Sequence, residues 1–356
     1  MPIFKNPKRP KDASPPKDEK VVRKKSPQIL GKIENFEIPL SPQGWKKLRQ
    51  AGGLQHLSIN TLSKDLFGSA SRPSNKQYVM LRCYSPGTLA PAKFGKKMGK
   101  FGFDEALMGQ AANLLSQSQD WKRYIRTIEE EIPTHSLRET QDTLWPGSFM
   151  AAKRLQEQTA TVEGTHDRTR QACGRAVEEY SDAEDEATPN AALLVLLQQI
   201  THLVDNTGLE WVLNRTHFLA KFDGERKYNA YTDGALRSTK HSDVFSIVET
   251  KRTVRDRAKP AIIAQEACEL VAWLMTSPKS ANFNDHFLLF SQDRHQIFLT
   301  FAKYKKELED YLKENKATEE FLVMETFGPW DAENSSHIVH FAKIVIAAIL
   351  IAQATS

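Results

Sequence analysis

The stretch Asp243-Val244-Phe245-Ser246-Ile247-Val248-Glu249-Thr250-Lys251 decides how the chain is read. Its middle is β-branched and aromatic, as expected of a strand, and it ends on a charged triplet. In a strand, residues i and i+2 point to the same face. Glu249 and Lys251 therefore project side by side, with the Thr250 carbonyl between them. Upstream, residues 210–222 and 226–237 read as two further strands joined by a turn at Asp223-Gly224. Asp233 lies near the end of the second one, sixteen residues before Glu249. Antiparallel pairing would bring it beside Glu249.

Further outward, an apolar helix is expected over residues 191–204, before the strands, and a long helix over 261–275, after them, with Pro260 near its first turn. Strands at 287–291 and 296–302 flank a turn at Gln292-Asp293-Arg294. A charged helix (305–313), a short strand (321–325) and a closing helix (337–353) complete the pattern. The order predicts an α/β (α+β) fold with a mixed central sheet flanked by helices.

Two carboxylates and a carbonyl form an oxygen-rich set suited to Mg2+ or Mn2+. Such an ion lowers the pKa of bound water and offsets charge on a phosphate. The Lys251 ammonium would position or activate that water and counter developing negative charge. Spelling alone carries little weight, because Glu314-Asn315-Lys316, Asp18-Glu19-Lys20 and Asp120-Trp121-Lys122 spell similar triplets. Glu249-Thr250-Lys251 differs by its setting: an apolar strand, an acid on the preceding strand and a helix behind. The alternative reading of the triplet is a salt bridge at a strand edge.

The chain has 356 residues, 40% hydrophobic and 26% charged, with a net charge of +5. Residues 1–35 are rich in Pro, Lys and Ser and are expected to be a disordered basic tail. Such a tail attracts polyanions. Lys8-Arg9-Pro10-Lys11 and Arg23-Lys24-Lys25 resemble a two-part nuclear import signal. Residues 36–155 show helical patterns at 105–116 and 121–132, and 86–103 read as a Gly- and Lys-rich loop. Residues 156–189 form a charged linker or insertion with an acidic run at Ser181-Asp182-Ala183-Glu184-Asp185-Glu186, and 190–356 hold the core. Cys83, Cys173 and Cys268 are isolated and expected as reduced thiols. The longest apolar run, 344–352, is too short to cross a bilayer, and no secretory signal begins the chain. A soluble intracellular protein with no membrane contact is expected.

The segment Ile247-Val248-Glu249-Thr250-Lys251, then Arg252 and Arg255, then Gln265-Glu266-Ala267 through Val271-Ala272-Trp273, resembles the fungal PD-(D/E)XK nuclease-like domain. Ser291-Gln292-Asp293-Arg294-His295-Gln296-Ile297-Phe298-Leu299 and Phe327-Gly328-Pro329-Trp330 are similar to it as well. The resemblance spans roughly residues 185–350. It implies a restriction-endonuclease-like fold and a Mg2+- or Mn2+-dependent nuclease acting on DNA or RNA. It implies Asp233, Glu249, Lys251 and Gln265 as catalytic residues and Asp233, Glu249 and Thr250 as the metal set. Arg252, Arg255 and Arg257 follow the lysine and would contact phosphates.

One feature departs from the family. Many relatives carry another acid on the helix before the first strand, and the N-terminal half of 191–204 has none. Asn190 stands near that position, with Asp185 and Glu186 just upstream and Glu210 the nearest acid downstream. The alternatives are therefore a catalytically weak or inactive nuclease-fold module that binds nucleic acid or a protein partner, and a scaffold outside nucleic-acid chemistry.

Overall fold

A computed structural model of the protein describes residues 36–139, 143–160, 185–241, 243–277 and 282–356. The basic segment 1–35, Cys173 and residues 181–184 of the acidic run lie outside the described residues.

The N-terminal region is built of short capped helices. Ser41 accepts the Gly44 N–H at 3.2 Å and starts α1 (Pro42–Ala51), whose Pro42 is preset for a first helical turn. Then follow α2 (Asn75–Met80), β1 (Cys83–Tyr84), β2 (Thr88–Leu89) and α3 (Phe94–Lys97). The 86–103 stretch, expected as a loop, thus contains a strand and a helix. Asp104 caps α4 (Glu105–Gln117), Ser118 caps α5 (Gln119–Glu129), and α6 is Met150–Ala160.

The central part is α7 (Ala187–Thr201), β3 (Leu209–Val212), β4 (Thr216–Lys221), β5 (Lys227–Thr232), β6 (Gly234–Ser238), β7 (Val244–Lys251) and α8 (Arg255–Thr276). The chain ends with β8 (His286–Asp293), β9 (Gln296–Lys303), α9 (Lys306–Glu314), β10 (Leu322–Asp331) and α10 (Ser335–Thr355).

The strands form an eight-stranded mixed sheet in the order β1-β10-β9-β8-β7-β6-β3, with β2 also pairing to β10. β3, β6 and β7 are antiparallel neighbours; α8 then carries the chain back so that β8 lies parallel to β7. β8, β9 and β10 continue antiparallel, and β1 and β2 run parallel to β10. The N-terminal region therefore contributes strands to the same sheet as residues 190–356.

Apolar residues cover both faces of this sheet. Leu288 and Phe290 of β8 join a core with α4, α5, α7 and α10, while Phe287 and Leu289 join a second core with α1, α2, α8 and α9. Helices on both sides explain why β7 is buried along nearly its whole length rather than at alternate residues. α10 is 21 residues long and apolar enough to span a membrane by length and composition, so the helix extends well beyond the 344–352 run. Here Ile344, Val345 and Ile346 are buried in the first core.

Two expected strands are each broken. The 210–222 segment divides into β3 and β4, and the 226–237 segment into β5 and β6. β4 and β5 form a separate two-stranded sheet. Gly234 marks the second break: a Cβ there would stand 2.8 Å from the Val212 carbonyl and 2.9 Å from a Leu194 methyl, so only glycine lets β6 enter the sheet this closely. Asp233 consequently sits at the joint between hairpin and sheet. The expected turn at Gln292-Asp293-Arg294 also shifts: Gln292 and Asp293 end β8, and Arg294 turns the chain with φ +61°.

Candidate active site

The last residues of β7 are where the chemistry-bearing side chains meet. β6 pairs with β7 so that Gly234 faces Val248, and the Asp233 N–H donates to the Val248 carbonyl at 2.9 Å. This register aims the Asp233 carboxylate past the end of its own strand. Oδ2 accepts the Thr250 N–H at 3.0 Å and the Thr250 hydroxyl at 2.8 Å. Asn190, near the start of α7, donates its side-chain amide to the Asp233 carbonyl at 3.3 Å.

Thr250 thus has a different task from the one expected. Its N–H and hydroxyl hold Asp233, and its carbonyl accepts from Lys251 Nζ at 2.9 Å. The carbonyl expected as a metal ligand also accepts from the lysine.

Glu249 and Lys251 lie side by side as the strand spacing requires, joined by a direct hydrogen bond. Lys251 Nζ also reaches Glu186 Oε1 at 3.0 Å. Glu186 occupies the N-cap position of α7, so an acid does stand at the start of the helix before the first strand. The helix begins at Ala187 rather than 191, which draws Glu186 into a position that counting along the sequence had left upstream.

Behind Glu249, the Gln265 amide nitrogen donates to Glu249 Oε1 and, at 2.8 Å, to Glu269 Oε1. Gln265 and Glu269 are four residues apart on α8, hence on one helix face. That spacing was legible in the sequence; its orientation toward Glu249 was not. Glu249 Oε2 and Glu269 Oε2 are buried without a hydrogen-bond partner among the described residues.

The electrostatics follow from burial and crowding. Burial raises the Asp233 pKa, outweighing the two Thr250 hydrogen bonds and the Lys251 charge. Glu249 is raised too, by burial first and then by the neighbouring Glu269. Burial pushes Glu269 up to about 8 against the Gln265 hydrogen bond. Burial disfavours the Lys251 charge, yet the surrounding carboxylates win and hold its pKa above the ordinary lysine value. The carboxylates around Lys251 favour its charged form, which can orient a water or steady an anion.

Four acids, Glu186, Asp233, Glu249 and Glu269, surround one lysine. Arg215 stands 4.0 Å from the other Asp233 oxygen with its side chain largely exposed. The unpartnered Glu249 Oε2 and the less constrained Asp233 Oδ1 are hard oxygen donors of the kind Mg2+ or Mn2+ takes. Among the described residues, no three His, Cys, Asp or Glu side chains are already gathered in ligand geometry.

Comparison with protein-family models, with curated proteins and with solved structures finds no match for this chain.

The three arginines after the lysine diverge. Arg255 is 2% exposed, and its guanidinium is bonded to Glu266 and Asp293 and lies over the Phe298 ring. It is a buried structural ion pair and is not placed to contact a phosphate. Arg252 and Arg257 are exposed at the start of α8. The comparison triplet Glu314-Asn315-Lys316 falls at the end of α9, where Asn315 turns left-handed and Lys316 and Glu314 form an exposed pair at 2.7 Å.

Proposed function

We propose that the chain is a divalent-metal-dependent nuclease of the PD-(D/E)XK type, with a restriction-endonuclease-like core formed by α7, β3, β6, β7, α8 and β8. What carries this reading is the meeting of Asp233, Glu249, Lys251, Gln265 and Glu186 at one strand end, drawn from four elements. A chance E-x-K triplet has no reason to face an acid of the adjacent strand and a glutamine of the following helix at once.

Asp233 and Glu249 would hold Mg2+ or Mn2+, an ion whose charge would offset the burial that raises both carboxyls. When bound, it supplies Lewis acidity and an acidified water. The protein's own residues do the rest. Thr250 fixes Asp233 in one rotamer. Gln265 orients Glu249 from behind. Lys251 places the attacking water and balances the charge gathered on the phosphate oxygens. The water oxygen bonds to phosphorus as the phosphorus–oxygen bond to the leaving sugar breaks; the water gives one proton to solvent and the leaving alkoxide takes one up from solvent.

The test is cleavage of single- and double-stranded DNA and of RNA with Mg2+ or Mn2+ and with chelator. Asp233→Asn and Lys251→Ala are each expected to lower the rate by about 10²-fold or more with an unchanged circular dichroism spectrum. Cleavage that survives both substitutions overturns the proposal. Salt-sensitive nucleic-acid binding without cleavage would instead favour the binding module.

A further inference from the structure

The lysine-rich stretch between Pro86 and Phe103 plays no part at the candidate active site, yet it borders a cavity of about 460 Å3. This cavity opens at the far end of the sheet, where β1, β9 and β10 meet. Lys97 and Lys100 line one side, and Lys303 and Lys305 another. The rings of Tyr84 and Tyr304 form part of the wall.

We propose that this cavity is a binding site for a nucleoside 5′-phosphate, separate from the candidate active site. Three features of the lining select that chemistry. The volume lies within the range of small-ligand pockets, about 300–1,000 Å3. Four lysines face Glu320, which pairs with Lys305 at 2.7 Å, Glu325, and Asp285 beside the rim, leaving an excess of one positive charge. Lys97 and Lys100 share the single Glu325 carboxylate, while Lys303 pairs at 3.6 Å with Asp285, a side chain 81% exposed. Burial and the neighbouring Lys97 and Lys303 lower the Lys100 pKa, so the cations are crowded. A phosphate relieves that repulsion.

The aromatic walls select the other half of the ligand. Tyr84 is held edge-on against Phe321 at 5.6 Å, and Tyr304 is stacked on Phe287 at 5.9 Å. Core contacts thus fix each ring in the cavity wall, a platform for a base. An isolated inorganic anion would use the lysines and leave the rings idle.

Separation from the active site follows from strand register. Lys303 stands opposite His286 at one end of β8, and Lys251 stands opposite Asp293 at the other. Seven steps at about 3.3 Å place the two regions roughly 23 Å apart along the sheet. A mononucleotide cannot bridge that distance, so the ligand here is not the bond being cut.

The experiment is calorimetric titration of the full chain at low salt with AMP, inorganic phosphate and a 5′-phosphorylated thymidine trinucleotide. AMP is expected to bind about tenfold or more tightly than phosphate, and Tyr304→Ala to lose roughly that factor while Tyr304→Phe keeps it. Lys303→Glu is expected to weaken AMP at least about tenfold with an unchanged melting temperature. Lys97→Glu, at a more exposed side chain, gives the same readout should Lys303→Glu fail to fold. Trinucleotide binding tighter than AMP assigns the site to a strand end; equal or weaker binding assigns it to free nucleotides, and either supports the proposal. No AMP binding up to about 5 mM, phosphate binding as tightly as AMP, or AMP binding lost in Asp233→Asn but kept in Lys303→Glu overturns it. Apart from the Asp233→Asn control, these variants leave the candidate catalytic residues intact, so a failure here is distinct from a failure of the nuclease reading.

Discussion

Glu186 at the start of α7 and Lys251 at the end of β7 meet at 3.0 Å across 65 residues of sequence. Lys251 is thereby held between two carboxylates, one from its own strand and one from a helix. Glu186 is far more exposed than Glu249, with side-chain exposures of 45% and 3%. The two acids are not interchangeable: Glu249 sits at the base of the site, while Glu186 is at its mouth.

Glu186→Gln removes the outer charge and keeps the shape. We expect cleavage to fall by about 10–100-fold, the range for groups that orient a metal site's ligands, with a higher Mg2+ requirement and an unchanged melting temperature. An unaltered Mg2+ dependence would show that Glu186 only steadies the lysine.

Thr250→Val deletes the hydroxyl bonded to Asp233 and leaves the backbone N–H in place. Half of the contacts holding that carboxylate are lost in a buried setting, a change of about 1–3 kcal/mol. Activity should drop while Thr250→Ser retains most of it. Nuclease assays of the pair decide whether the hydroxyl matters.

Arg255→Met should damage stability rather than nucleic-acid affinity. It strands the Glu266 and Asp293 carboxylates, both at most 1% exposed, without their cation. A loss of about 3–5 kcal/mol is expected, read as a lower urea midpoint. Weaker nucleic-acid binding with normal stability would return Arg255 to the phosphate-contacting role.

Glu269→Gln tests the pH behaviour. The folded-state pKa of Glu269, about 8, lies above its ordinary value of 4.5. Between these values the folded chain binds more protons than the unfolded one, so stability falls as pH rises through that window. Thermal melts of chelator-treated protein should decline from pH 5 to pH 8, and Glu269→Gln should flatten the decline. A slope unchanged by the substitution would assign the proton elsewhere, first to Glu249, which burial and the neighbouring Glu269 also raise, and then to Asp293, which burial pushes up to about 6.

Much of the central unit is legible in the sequence because it is written in local patterns. The 243–251 stretch is a strand because its residues suit a doubly buried sheet position. The parity of Glu249 and Lys251 follows from the pleat alone. The helix after them shows its start in Pro260, although the helical run begins earlier, at Arg255, with a kink at Ala258. Asp233 was found by pairing, but not the bend that holds it. Nothing local distinguishes a strand from two strands meeting at Gly234; the crowding by Val212 and Leu194 exists only once β3 and α7 are in place.

The sequence by itself determined that Glu249 and Lys251 share one face of β7, and that a mixed sheet with helices surrounds them. Only the tertiary structure decided which acids join them. Glu186 and Glu269 enter because a helix start and a helix face are packed against one strand end, and Arg255 leaves because two buried carboxylates claim it. The physical reason is range: side-chain periodicity is set over two to four residues, whereas the charge environment of a buried group is set by whatever the folded chain brings within a few ångströms.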